Sequence, residues 1–243
     1  MDQISRIRKI SIWIFFLPVI VLNVCLFISV NYLIFENTIF VVDQIGRSGF
    51  TIPYIDGGVS ISRTARTYPT YLIFKPGMII TAFLLIKYWI ANNNMARTIN
   101  NQNEKNYRFL FFGVSSAIFL IAHSIFLGIS FEYDLYKFFR RFILIAFIIF
   151  EIVAQALLVV TLFKIKNKIS NFINKKILIL KMVLVFLLSV VALASLPTLT
   201  SAGNTSFKHA LEWNYFIGII TFYLLTFLFW KRDKTQVHTP EGA

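Results

Sequence analysis

The residues from Ala210 to Trp230 read ALEWNYFIGIITFYLLTFLFW and are followed at once by Lys231-Arg232-Asp233-Lys234. Glu212 is the only charged side chain in those 21 residues. As a helix they reach ~30 Å, the thickness of a bilayer hydrocarbon core. A helix on a soluble core shows a polar face along its length, whereas here Asn214, Gly218, Thr221 and Thr226 merely interrupt an apolar cylinder. This stretch is expected to cross a membrane. Hydrocarbon offers the backbone no hydrogen-bonding partner, so it has to do so as a helix.

Six such stretches are legible, at about 10–35, 71–91, 108–130, 138–163, 177–197 and 210–230. None shows the two-residue alternation of a barrel strand. The expected fold is therefore all-α: one domain over residues 1–243, an integral membrane bundle of six transmembrane helices with a long first extracytoplasmic loop. The composition agrees, with 57% hydrophobic residues and 27 Phe in 243. The charged start MDQISRIRKI resembles that of a signal peptide. The apolar run behind it is about twice the usual core length and no small-x-small site closes it, so it is expected to remain as the first span.

A net charge of +13 would suggest nucleic acid in a soluble protein. Here most cations sit in the connections: Arg6, Arg8 and Lys9; Arg97, Lys105 and Arg108; Lys164, Lys166, Lys168, Lys175 and Lys176; and Lys231, Arg232 and Lys234 on one side, against Arg47, Arg63, Arg66 and Lys75, then Lys137, Arg140 and Arg141, then Lys208 on the other. Orientation by the positive-inside rule and contact with anionic lipid account for them without any nucleic-acid partner. Both termini are then expected on the cytoplasmic side. The compartment stays open among endomembrane (Golgi or ER), lysosomal and plasma membranes. The single cysteine, Cys25, reads as a small packing residue.

Polar residues carry what functional information there is. The first connection, Glu36 to Thr70, contains Phe40, Val41 and Val42, then Pro53-Tyr54-Ile55-Asp56-Gly57-Gly58, and is expected to be an ordered cap on the membrane surface. The asparagine-rich stretch Asn92–Asn106 reads as a solvated loop. Within the spans, Glu151 lies near the midplane with Gln155 one turn further on, as interhelical glue or as a lipid-headgroup or proton-linked site. His123 reads as a packing residue. His209 and Glu212, three apart on the first turn of the last span, share one face. There is no HExxH spacing, no GxSxG, no Walker loop and no dinucleotide fingerprint. No catalytic residue, metal ligand or cofactor is assigned, and the chain reads as more an accessory protein than an enzyme.

Several of these stretches resemble the FRAG/DRAM/SFK family of six-span membrane proteins, which groups the damage-regulated autophagy modulators with the post-GPI-attachment-to-proteins factor two. The similarity lies in Ile52-Pro53-Tyr54-Ile55 with Gly57-Gly58 and Pro69, in the entrance Ala210-Leu211-Glu212-Trp213, and in Phe222-Tyr223-Leu224-Leu225-Thr226-Phe227. Asp56 stands where the family has a Ser, and the family's His at the start of the fourth span is replaced by Arg140-Arg141 nearby. The resemblance implies a protein that interacts with membrane lipids, an accessory or remodelling factor in membrane-lipid or GPI-anchor homeostasis or in autophagy. Pro53, Asp56, His209, Glu212 and Glu151 are then the candidate contacts to a lipid headgroup. The alternatives are a non-catalytic adaptor recruiting a protein partner through the cytoplasmic face, Lys164 to Lys176, and an acyl-transfer enzyme built on His209 and Glu212, for which no nucleophile is identifiable.

Overall fold

The structure, a computed structural model, describes residues 2–35, 38, 49–100, 107–129, 134–200 and 203–231. Phe40, Val41 and Val42, Lys105, and the tail cations Arg232 and Lys234 lie outside the described residues. Among the described residues eight α-helices follow one another: α1 (Asp2–Val30), α2 (Pro53–Asp56), α3 (Ile61–Arg66), α4 (Tyr71–Asn100), α5 (Arg108–Phe126), α6 (Asp134–Ile165), α7 (Lys175–Thr200) and α8 (Thr205–Phe229), with a 3-10 turn at Tyr32–Phe35. Six of them are long and apolar enough to cross a membrane. The chain is a multi-pass membrane protein.

The helix ends depart from expectation where polar residues continue a helix. The first begins at Asp2 because its cations have somewhere to go: Ile7 is buried, while Arg8 Nε reaches Phe227 O at 3.4 Å and its guanidinium lies 4.8 Å over the Phe227 ring. The reading of Asn92–Asn106 as a solvated loop is corrected over its first part. Helix α4 runs on to Asn100, and Asn92 and Asn93 are buried. Asn92 Nδ2 donates to Tyr88 O at 2.9 Å, and Asn93 Oδ1 accepts from Tyr107 N at 2.9 Å, capping the turn into α5. These amides are structural parts of a helix–helix junction rather than loop residues.

The bundle packs α1 against α4 and α8, α4 against α5, α5 against α6, and α7 against α6 and α8. Its centre is aromatic, with Tyr88, Trp89, Phe109, Trp213, Phe222 and Tyr223 all buried. Its exterior is apolar as well: Phe111, Phe186 and Leu193 are 66%, 67% and 70% exposed. Such side chains would be unfavourable against water and suit hydrocarbon. Close helix approach depends on small residues, since apolar burial alone gives no net drive between helices in lipid. At Gly113 a Cβ would meet Trp89 Cδ2 at 2.3 Å. Gly113→Ala is expected to separate α4 from α5 and cost about 2 kcal/mol, read as a fall in thermal midpoint in detergent.

Opposite ends of the bundle are closed differently. At one, the turns between α6 and α7 join the end of α8: Asn174 N donates to Phe229 O at 2.8 Å and Lys231 N to Phe172 O at 2.9 Å. This is the basic end. At the other lies the segment from Thr51 to Arg66, the capped end.

Candidate functional site

The capping segment is built from its own polar residues. Pro53 opens α2, where its missing N–H costs nothing, and is buried. The Asp56 carboxylate then accepts from Thr51 Oγ1 at 2.9 Å, Ile52 N at 3.1 Å and Gly58 N at 2.7 Å, so the side chain folds the loop around itself. Gly57 closes α2 with φ +57°, and a Cβ there would sit 1.7 Å from the backbone oxygen of Ser206 in the first turn of α8. Only glycine permits both that conformation and that approach.

The first turns of α8 receive the segment. His209 Nδ1 hydrogen-bonds Gly57 O at 3.0 Å. Trp213 Nε1 donates to Val59 O at 2.8 Å and Asn214 Nδ2 to Tyr54 O at 2.8 Å. Glu212 Oε1 accepts from Ser62 N at 3.2 Å and from Ser62 Oγ at 2.9 Å. The Tyr54 ring stands edge-on to Trp213, 5.1 Å between centroids. Pro53, Asp56, His209 and Glu212 are therefore one corner of the molecule. What their side chains touch there is the chain itself.

Glu151 is elsewhere, fully buried in the middle of the bundle. Ser116 Oγ of α5 donates to its Oε2 at 2.5 Å, Gln155 Nε2 to its Oε1 at 3.1 Å, and the Tyr223 hydroxyl of α8 to the same Oε1. Gln155 Nε2 also reaches Ile219 O at 3.2 Å. One carboxyl thus ties α5, α6 and α8 together, with the i, i+4 spacing of Glu151 and Gln155 putting both on the inward face.

Between corner and centre lies a cavity of about 780 Å3, including its open part. Ile61 and Glu212 are at its capped end and Glu151 and Tyr223 at its depth. Its walls are Met78 from α4, His123 from α5, Leu144 and Ile148 from α6, and Phe216 from α8. Among the described residues no Lys or Arg lines it. The two carboxyl groups that do are both engaged by neighbouring donors, so the space offers an entering group mainly hydrocarbon contact.

Lys181 escapes a reading of the sequence by spans, since a cation four residues inside an expected boundary looks interfacial. In the fold it is fully buried. Its Nζ donates to Thr226 Oγ1 at 2.8 Å and lies 3.9 Å over the Phe222 ring, and Thr226 Oγ1 also meets the Tyr88 hydroxyl at 3.1 Å. The signal available in sequence was the cost of an ionisable group inside a span. Because an amine buried with one neutral acceptor recovers little of its desolvation cost, Lys181→Met is expected to leave thermal stability within ~1 kcal/mol of wild type or above it.

Among the described residues no three His, Cys, Asp or Glu side chains gather as a metal site would need. No protein-family model, no curated protein and no solved structure matches the chain.

Proposed function

We propose that this protein holds an acyl chain of a membrane lipid inside its helix bundle. The observation that carries the reading is the cavity, which runs from Glu212 at the capped end to Glu151 at the centre between apolar walls. A space of that kind inside a membrane is filled by the apolar solvent at hand. Holding a lipid in this way suits an accessory or remodelling factor in membrane-lipid or GPI-anchor homeostasis, the role implied by the resemblance to the FRAG/DRAM/SFK family. In this reading the basic end is cytoplasmic and the capped end faces the lumen or exterior. The corner of Pro53, Asp56, His209 and Glu212 acts as the roof of the lipid site.

The reading is tested by filling the cavity. Ile148→Trp adds an indole to the α6 wall, and native mass spectrometry of the purified protein is expected to show lipid retained by wild type and lost from the variant. Retention of the same lipid by both proteins counts against it.

A second reading, an adaptor recruiting a partner, rests on the exposure of Lys164, Lys175 and Lys176 at the basic end. Charge reversal at those three lysines is expected to abolish capture of a cytosolic partner if that reading holds, and to leave lipid retention untouched if the cavity is the functional element.

A further inference from the structure

Helix α3 ends in Arg63 and Arg66, one turn apart, both with exposed side chains. The backbone at Arg66 rests on the end of α5, where a Cβ on Gly128 would lie 3.3 Å from Arg66 O. The same junction is tied from the other side by Tyr136, whose hydroxyl donates to Phe126 O at 2.9 Å. Over the Tyr136 ring, at 5.8 Å, stands the guanidinium of Arg140. Two turns of α3 and the start of α6 thus bring three arginines to one junction at the capped end. Burial first, then the charges of Arg140 and Arg63, pull the Arg66 guanidinium below its ordinary value. Among the described residues the charges bearing on it are like charges, an arrangement that an anion would relieve.

Arg140 also stands in register with the cavity. Residues 140, 144, 147, 148 and 151 fall at i, i+4, i+7, i+8 and i+11, one face of α6. Leu144, Phe147, Ile148 and Glu151 of that row line the cavity. Arg140 is one turn, ~6 Å, beyond the first of them. On α3, Ile61 lines the cavity two residues before Arg63.

We propose that Arg63, Arg66 and Arg140 bind the phosphoryl headgroup of a membrane phospholipid whose acyl chain lies in the cavity. The assignment rests on the reading of the cavity as an acyl-chain site. Three points fix the chemical class. Guanidinium forks match phosphate oxygens in a bidentate geometry and remain charged at the interface. Among the described residues the cavity is lined by two carboxyl groups and no Lys or Arg, so an anionic group is kept out of its depth and held at the arginines. A phospholipid then lies with its phosphate at the α3–α6 junction and its tail along the row from Leu144 to Glu151.

The test is equilibrium binding of two fluorescent lipids with the same tail, phosphatidic acid and diacylglycerol, to the purified full-length protein in a neutral detergent. Phosphatidic acid is expected to bind about tenfold more tightly. Arg66→Gln combined with Arg140→Gln is expected to reduce that preference to less than twofold while diacylglycerol binding and the thermal midpoint stay unchanged, and Arg66→Lys with Arg140→Lys to restore part of it. Equal binding of the two lipids to wild type overturns the headgroup assignment alone, as does a preference that survives in the double Gln variant. Diacylglycerol that fails to bind either protein overturns the cavity reading on which the assignment rests. Inorganic phosphate displacing phosphatidic acid as effectively as unlabelled phosphatidic acid would show a site for free anions and overturn the lipid.

Discussion

Gly57→Val is expected to detach the capping segment from α8. Two costs coincide at this position. A β-branched residue at φ +57° is strained by ~1–2 kcal/mol, and its Cβ would occupy space 1.7 Å from the Ser206 carbonyl, which belongs to a helix backbone and cannot rotate away. Lifting the segment breaks its bonds to His209, Glu212, Trp213 and Asn214 together, because all four bond to that one segment. The expected result is a rise of ~100-fold in hydrogen exchange at the Ser62 amide, which donates to Glu212, with the amides of α5 unaffected. Unchanged protection at Ser62 would mean that the segment does not depend on this contact. Since Ile61 and Glu212 are the capped end of the cavity, the same variant is expected to lose bound lipid.

Glu151→Leu is expected to be comparably damaging, for a different reason. Each hydrogen bond between helices in a membrane contributes ~0.6 kcal/mol on average and up to ~1.7. Removing the carboxyl breaks the bonds from Ser116, Gln155 and Tyr223 and strands the Tyr223 hydroxyl in an interior with no water to replace it, while Ser116 Oγ keeps Gly113 O at 2.8 Å and Gln155 Nε2 keeps Ile219 O at 3.2 Å. A loss of ~3 kcal/mol is the expected outcome of reversible unfolding in detergent and denaturant, with Glu151→Gln losing about half of that because one oxygen still accepts. Tyr223→Phe on the Leu background should then cost less than on wild type, since the bond it deletes is already gone. A Leu variant as stable as wild type would show that the network does not hold α5, α6 and α8 together.

Much of the fold is legible in the sequence because lipid permits so few alternatives. A run such as 210–230, with one charged residue, has only the helix open to it. Helix ends are less legible where polar side chains find partners inside the bundle. Asn93 looks like a loop residue until the amide of Tyr107, fourteen positions on, is brought to it. The corner was partly readable, since the spacing of His209 and Glu212 gives a shared face. What that face receives depends on a segment some 150 residues earlier in the chain, and no local pattern carries the pairing of Ser62 with Glu212. The cavity was not readable at all. It exists because side chains from α1, α4, α5, α6 and α8 fail to fill the space between them, and it belongs to no one stretch. The same holds for Arg63 and Arg66, which lie more than 70 positions before Arg140 in sequence and which the fold brings to one junction with it beside that cavity.

The central claim, that the cavity holds a lipid chain, is tested most directly by photo-crosslinking. A phospholipid carrying a diazirine midway along its tail would be incorporated with the protein into bilayer nanodiscs, illuminated, and the modified residues mapped by peptide mass spectrometry. The expected label falls on inward residues of the cavity wall, Met78, Ile148 and Phe216, and vanishes there in Ile148→Trp. Labelling confined to outward residues such as Ile145, Ile149 and Phe186, which are exposed on the bundle surface, would contradict the account.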